Sequence, residues 1–158
     1  MSKGSESGPE VAMESVTTVE AITLGEQENT REAAIARVSG MLSDLGAVEA
    51  GYGESMLARE GVISTYLGNG IALPHCTYED RGLIKRTALV LAQYPDGVPW
   101  GDEEDVAYLV FGLAAVGDEH LAVMSHLAEV LDDEELCDRL AATTDEAYVR
   151  ETLAAPTE

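Results

Sequence analysis

The first half of the chain carries apolar residues at helical spacing. The stretch "NTREAAIARVSGMLSDLG" has an N-cap candidate at Asn29 with Glu32 three positions later, and Gly46 ends it. This pattern predicts an amphipathic helix. Its inward stripe consists of Ile35, Val38, Met41, Leu42 and Leu45.

The same periodicity predicts four further helices. "VEAGYGESMLARE" ends at Gly61 and places three side chains near one face, those of Tyr52, Met56 and Arg59. "DEHLAVMSHLAEVL" has Asp118 as its N-cap candidate. Its predicted inward stripe consists of Leu121, Met124, Ala128 and Leu131. Two shorter helices follow, in "DDEELCDRLAA" and "TDEAYVRETLAA", each opening with Asp or Thr ahead of Glu.

Short apolar runs lie between these helical regions. "IALPH", "TALVLAQ" and "VAYLVFGLAAV" are flanked by the turn signals "YPDG" and "GDEED", a pattern that predicts strands buried on both faces. Helices that alternate with buried strands indicate a single-domain α/β sandwich, because each sheet face needs a covering layer. The opening "MSKGSESGPEVAMES" has no periodicity, so we expect a flexible tail over residues 1–15 and a domain over 16–158.

Composition agrees with one folded domain and adds an unusual charge. The chain has 158 residues, of which 46% are apolar. Its 30 Asp and Glu residues against nine Lys and Arg residues give a formal net charge of −21. Such a surface repels nucleic acid and anionic membranes, since both require basic side chains. Two interpretations of the charge remain open: adaptation to a high-salt (halophilic) cytoplasm, and a specific basic partner.

Cysteine use and hydropathy predict a cytoplasmic protein. The two cysteines, Cys76 and Cys137, form neither a disulfide framework nor a C-x-x-C metal motif. We find no secretory leader pattern and no apolar run long enough to cross a bilayer. A reducing compartment and no direct membrane insertion are therefore expected, and nothing in the pattern calls for a cofactor or a metal.

One histidine stands at a constrained position in "TYLGNGIALPHCTYED". Pro74 keeps the preceding residue out of the helical region, so the chain leaves its strand extended and presents His75 at a strand edge. No second metal ligand accompanies it, and no nucleophile motif would make it a general base. Two interpretations remain: a nucleophile that can accept a phosphoryl group, and a structural histidine with a satisfied hydrogen bond.

Three other residues bear on the same question. His120 begins a predicted helix, where the positive end of the helix favours an anion, although it could equally be an exposed helix-start histidine. His126 lies about 240° further around that helix and is interpreted as structural. Arg59 could offer a fork of donors to phosphoryl oxygens, or could simply be a favourable charge at a helix C-terminus.

The segment "STYLGNGIALPH" and the stretch from "ALVLAQYPDGVPWGDEED" to "CDRL" resemble the IIA domain of the phosphoenolpyruvate-dependent sugar phosphotransferase system (PTS), fructose and mannitol type. The resemblance covers roughly Val16 to Leu153, and the mannitol branch is the nearer. It implies a mixed sheet of about five strands flanked by helices. It also implies a phosphocarrier, a phosphotransferase component without a cofactor, with His75 as the acceptor and His120 and Arg59 beside it.

The partners that the resemblance implies are a donor and an acceptor. The donor is an HPr-like phosphocarrier protein. The acceptor is a cysteine of a IIB component, which phosphorylates the sugar while the membrane component IIC transports it. Because no IIB or IIC segment occurs in this sequence, we expect those components to be separate proteins. A regulatory, nitrogen-type IIA protein, whose phosphorylation state controls a binding partner, is the alternative function.

The sequence departs from the family at one position of this motif. The residue after the acceptor histidine is usually Gly, and here it is Cys76. A small side chain should fit, with less backbone freedom than glycine allows. We expect Cys76 to be a packing residue or a rim residue, and to be sensitive to oxidation only if it is exposed.

Overall fold

The computed structural model describes residues 18–101 and 104–154, and the predicted tail lies outside this part. Its core is a five-stranded sheet in the order β1-β4-β5-β3-β2. Strand β1 is parallel to β4 and β3 is parallel to β5, whereas the β4–β5 and β2–β3 pairs are antiparallel. The strands are β1 (Val19–Thr23), β2 (Tyr66–Gly68), β3 (Ile71–Ala72), β4 (Ala88–Pro99) and β5 (Val106–Ala114).

Five α-helices occur in the described part. They are α1 (Arg31–Asp44), α2 (Tyr52–Val62), α3 (Glu119–Val130), α4 (Glu134–Ala142) and α5 (Glu146–Leu153), with a short 3₁₀ turn at Arg81–Leu83. Helices α1 and α2 pack on one face of the sheet and α3, α4 and α5 on the other. Among the described residues, no helix is both long and apolar enough to span a bilayer. The predicted α/β sandwich with a mixed sheet is confirmed.

The two central strands are buried on both faces, as their continuous apolar runs predicted. In β4, Leu89 and Leu91 pack among the helices of one layer, and Val90 and Ala92 among those of the other. Gly112 of β5 lets α1 approach closely, since a Cβ atom there would lie 2.7 Å from the Cβ of Val38. Alternate side chains of these strands therefore join the two layers into one domain.

The predicted capping chemistry holds at two helix starts and differs at two others. Asp118 is the N-cap residue of α3, but its side chain makes no capping hydrogen bond. Helix α1 is capped by Thr30 and not by Asn29, because the Thr30 hydroxyl accepts a hydrogen bond from the Ala33 N–H at 3.1 Å. Asp133 and Asp145 cap α4 and α5 with their carboxylates. Gly46 follows the end of α1 in a left-handed conformation at φ 72°, which a glycine adopts without strain.

Three strand features differ from the prediction. Strand β1 and the three-residue β2 were not predicted from the residue pattern, and "IALPH" contributes only Ile71–Ala72 to the sheet. The predicted "YPDG" turn is wrong, because β4 runs through it. Its residues form a bulge, with the ladder to β5 shifting register between Gln93 and Val98.

The predicted inward stripe of α3 is also wrong for two of its members. Leu121 is 66% exposed and Ala128 is exposed, whereas the buried side chains of this helix are Val123, His126 and Leu127. The helix is rotated because it serves two surfaces: its buried face covers the sheet, and its first turn contributes His120 and Leu121 to a cleft.

Candidate active site

His75 is held in place by the strands on either side of it. Residues 68–70, Gly-Asn-Gly, form the tight connection between β2 and β3, and all three have positive φ angles of 100°, 54° and 77°. Glycine and asparagine tolerate this conformation, which explains the composition of the turn. Beyond β3, the Leu73 N–H donates to Thr65 O at 3.0 Å and the Leu113 N–H to Pro74 O at 3.1 Å. The backbone that precedes His75 is therefore tied on both sides.

The hydrogen bond of the His75 ring defines its tautomer. Nδ1 lies 2.8 Å from the carbonyl oxygen of Leu73. Since a carbonyl oxygen can only accept, Nδ1 carries the proton and Nε2 keeps a lone pair in the neutral ring. Burial lowers the pKa of His75, and the nearby positive charges of His120 and Arg59 lower it further, against the opposing effects of the Leu73 carbonyl and Glu60. The site therefore favours a neutral, nucleophilic imidazole.

His120 lies against His75 at the start of α3. The two ring centroids are 4.8 Å apart and the ring planes meet at 82°, an edge-to-face arrangement. Burial, and then the charge of Arg59, lower the pKa of His120. Thr87 fixes this helix start, because its hydroxyl donates to the Glu119 carboxylate and accepts from the Val116 N–H. The N-terminus of α3 adds a partial positive charge that favours a bound anion.

Arg59 belongs to the last turn of α2. One of its terminal nitrogens donates to Ile63 O at 2.5 Å, which folds the side chain over the residues that follow the helix. The structure describes no ion pair between its guanidinium and a carboxylate within residues 18–101 and 104–154. Its charge is therefore available to an anion beside the two histidines.

The three residues singled out from the sequence line one cleft of about 550 Å³. Arg81, whose guanidinium lies 3.6 Å from the centre of the Tyr78 ring, is a second cation at this cleft. The remaining lining residues are Tyr52, Cys76, Thr77, Ile84, Leu113, Ala115, Gly117, Asp118 and Leu121. In the described part of the chain, no group of three or more His, Cys, Asp or Glu side chains is arranged to hold a metal ion.

Cys76 is a packing residue rather than an exposed thiol. It is 9% exposed, and burial raises the pKa of its thiol. Asn69 is the one non-glycine residue with a positive φ in the described part, so the backbone at Cys76 does not need a glycine. The cysteine is accommodated beside Tyr52, whose hydroxyl donates to Leu113 O at 2.7 Å.

His126 is buried in α3, where its Nε2 lies 3.1 Å from Leu153 O at the end of α5. The structural interpretation of this histidine is confirmed.

The sequence did not reveal Glu60, which is 4% exposed next to Arg59. An acidic residue at a helix C-terminus opposes the helix dipole, and this was the available signal that the side chain has a partner.

Comparison with known proteins identifies the family. Residues 15–155 match the model of the phosphoenolpyruvate-dependent sugar phosphotransferase system, EIIA 2. The chain belongs to this family. The resemblance stated from the "GNGIALPH" motif is confirmed by this match.

Individual relatives agree with membership of the EIIA 2 family. The mannitol-specific phosphotransferase enzyme IIA component of Enterococcus faecalis is 38% identical over 144 residues, which cover 90% of this chain and 99% of that protein. The multiphosphoryl transfer protein of Rhodobacter capsulatus is 44% identical over 132 residues, 84% of this chain. This chain spans only 16% of that protein's length, and 36% of the multiphosphoryl transfer protein of Salmonella typhimurium.

A solved structure shows the same fold. The complex of enzyme IIAMTL and phosphorylated enzyme IIBMTL from Escherichia coli superposes with a TM-score of 0.81 at 43% identity, covering 84% of this chain and 92% of that one. The layered arrangement and the sheet described above are therefore those of a mannitol-type IIA protein.

Proposed function

We propose that this protein is a cytoplasmic phosphocarrier that accepts a phosphoryl group on Nε2 of His75 and passes it to a cysteine of a IIB component. The observation that carries the proposal is the Nδ1–H hydrogen bond to Leu73 O, which leaves Nε2 as the nucleophilic nitrogen in a cleft that also contains His120 and Arg59. An HPr-like protein is the proposed donor.

The proposed transfer is an in-line displacement. The lone pair of Nε2 forms a bond to phosphorus while the bond from phosphorus to the donor's nitrogen breaks, and its electron pair returns to that nitrogen. The proton of His75 stays on Nδ1, hydrogen-bonded to the Leu73 carbonyl oxygen, throughout. Negative charge spreads over the three phosphoryl oxygens, where Arg59, His120 and the start of α3 stabilise it by position and charge. In the second step the IIB thiolate attacks the same phosphorus, and the imidazole leaves.

The assignment to sugar transport rests on the names of the relatives. The Enterococcus faecalis relative is mannitol-specific, and the Escherichia coli structure joins IIA to a phosphorylated IIB partner. A mannitol-type or fructose-type IIB protein is therefore the proposed acceptor, and IIC is reached only through it. The regulatory, nitrogen-type alternative is not favoured, because the relatives above 35% identity described here are named for sugar or phosphoryl transfer.

Labelling with radioactive phospho-HPr tests this function. The wild-type protein should acquire one acid-labile, base-stable phosphoryl group, as a phosphohistidine does, and should then lose it to a mannitol-type IIB protein. The variant His75→Ala should acquire none, whereas His126→Ala, which changes a histidine outside the cleft, should be labelled like the wild type. Undiminished labelling of His75→Ala would refute the assignment of the acceptor.

A further inference from the structure

Glu60 carries the most heavily bonded buried charge beside the cleft. Its side chain is 2% exposed. Oε1 accepts from the Thr65 hydroxyl at 2.5 Å, and Oε2 accepts from the Thr65 N–H and from Trp100 Nε1, both at 3.0 Å. A terminal nitrogen of Arg31 lies 3.5 Å from Oε2. Burying a carboxylate is costly unless it is hydrogen-bonded, and these contacts satisfy both oxygens of Glu60.

A series of hydrogen bonds, joined through the backbone of Thr65 and Leu73, leads from this carboxylate to the imidazole of His75. Glu60 holds Thr65 by both its N–H and its hydroxyl. Thr65 O accepts from the Leu73 N–H at 3.0 Å, and Leu73 O accepts from His75 Nδ1 at 2.8 Å. Thr65 therefore anchors the backbone of Leu73 at its N–H, one peptide unit before the Leu73 carbonyl that selects the ring tautomer.

The same carboxylate controls the segment that supports Arg59. Residues 61–65 comprise the end of α2 and the return of the chain to the sheet, and the Glu60–Thr65 bonds close this segment at its two ends. Arg59 bonds to Ile63 O within it. If the segment opened, the guanidinium would lose the carbonyl that orients it.

We propose that Glu60 is a positioning residue for phosphoryl transfer: it closes the 61–65 segment and so holds both the Nδ1–H tautomer of His75 and the side chain of Arg59. The carboxylate touches neither reacting nitrogen, and it acts through Thr65. The inference rests on the proposed function of His75 as acceptor, and it adds a residue whose part in the reaction is indirect.

Two substitutions of Glu60 separate the effect of its hydrogen bonds from the effect of simply filling the space of its side chain. In Glu60→Gln, the amide oxygen can accept from Thr65 N and Trp100 Nε1, while the amide N–H₂ can donate to the Thr65 hydroxyl, which is also an acceptor. In Glu60→Leu, these donors lose their acceptor. We expect the ¹⁵N chemical shifts of the His75 ring to stay those of the Nδ1–H tautomer in Glu60→Gln and to move toward the mixed values of a free imidazole in Glu60→Leu. Transfer from phospho-HPr should slow by about 10-fold to 100-fold in Glu60→Leu, as expected for a misplaced reacting group, and much less in Glu60→Gln.

A milder pair of variants keeps the test decisive if Glu60→Leu does not fold. Thr65→Val and Trp100→Phe each remove one donor to the carboxylate, but only Thr65 lies on the path to Leu73. We expect Thr65→Val to shift the His75 ring resonances and slow transfer, and Trp100→Phe to leave both unchanged. Equal effects of the two variants would overturn the proposal.

A remote variant controls for general loss of stability. Gln93 is buried and donates to Leu140 O and Thr143 O in the other layer, so Gln93→Leu should destabilise the fold without altering the His75 resonances. The ring shifts are read without any phosphoryl donor. A wild-type protein that accepts no phosphoryl group would therefore refute the proposed function alone, whereas wild-type ring shifts in folded Glu60→Leu would refute the positioning role.

Discussion

Two histidines of this protein, the half-buried His75 and the buried His126, each bond to a backbone carbonyl, and the difference between their surroundings distinguishes the proposed phosphoryl acceptor from a structural imidazole. His75 uses Nδ1 to reach Leu73 O, two residues earlier in its own strand connection. His126 uses Nε2 to reach Leu153 O, which joins the ends of α3 and α5. Only the first lies in a cleft with cations beside it.

The comparison shows that hydrogen bonding of an imidazole does not by itself mean a structural role. What matters is which nitrogen is used and what faces the other one. In His75 the short local bond occupies Nδ1 and leaves Nε2 for an electrophile, next to His120. The hydrogen bond of His126 joins α3 to α5, and this residue is only 5% exposed.

Removing Arg59 should have the largest effect on this difference. The variant Arg59→Gln deletes the cation that would stabilise phosphoryl oxygens, so transfer from phospho-HPr should fall by about 10²-fold, as for loss of one oxyanion donor. The pKa values of His75 and His120 should both rise, because a positive charge that disfavours their protonation is gone. Quenched-flow assays measure the rate of phosphoryl transfer, and an NMR titration measures the pKa values of the two histidines. Unchanged pKa values would mean that Arg59 does not act on the imidazoles.

Alanine substitutions of His120 and His126 should separate an effect on phosphoryl transfer from an effect on stability. His120→Ala should slow phosphoryl transfer about 10-fold or more and change the free energy of unfolding little, since the ring lies at the cleft. His126→Ala should lower the free energy of unfolding by about 1–3 kcal/mol, because it leaves a cavity and an unpaired carbonyl, and should leave transfer unaffected. Urea denaturation and transfer rates give both quantities. If His126→Ala were fully folded and still lost phosphoryl transfer, His126 would not be purely structural.

A smaller effect should appear in the pH dependence of stability. The pKa of His75 is lowered in the folded protein, so near and below pH about 6.5 the unfolded chain binds a proton that the folded chain does not. The free energy of unfolding should therefore decrease as the pH falls through this range, with a slope from His75 of at most about 1.4 kcal/mol per pH unit. His75→Gln should reduce that slope. Denaturation series between pH 5.5 and 8 provide the measurement.

The sequence revealed the local parts of this site better than its assembly. Pro74 and the Gly-Asn-Gly turn constrain φ in a way that can be recognised from the sequence, and they place His75 just beyond a strand, three residues after β3 ends. The distance between His75 and His120 depends on β3 lying beside β5, a pairing of residues far apart in the chain. Only the family resemblance indicated that the two histidines meet.

The missed elements have physical reasons. Strand β1 is an edge strand with mostly half-buried residues, so its pattern is weak, and β2 has only three residues. The "YPDG" segment resembles a turn in composition because a β-bulge, like a turn, can require glycine. Gly97 has φ 85°, and a Cβ atom there would lie 2.4 Å from the Val106 side chain. Glu60 resembled an ordinary solvated charge, and only tertiary packing brings Thr65, Trp100 and Arg31 to it.

The smallest effect should come from Cys76, the residue next to the proposed acceptor His75. Because its backbone does not need positive φ, Cys76→Gly should cost about 1–2 kcal/mol of stability through lost packing and added freedom of the unfolded chain, without altering transfer from phospho-HPr.

Burial raises the pKa of the Cys76 thiol, so little thiolate forms near pH 7. Iodoacetamide should therefore react slowly with the folded protein and quickly after unfolding. Cys137, which is also buried, should behave in the same way, and mass spectrometry of peptides distinguishes the two sites. Rapid alkylation at Cys76 in the native protein, accompanied by loss of phosphoryl acceptance, would show instead that the thiol is reactive from the cleft that it lines beside His75.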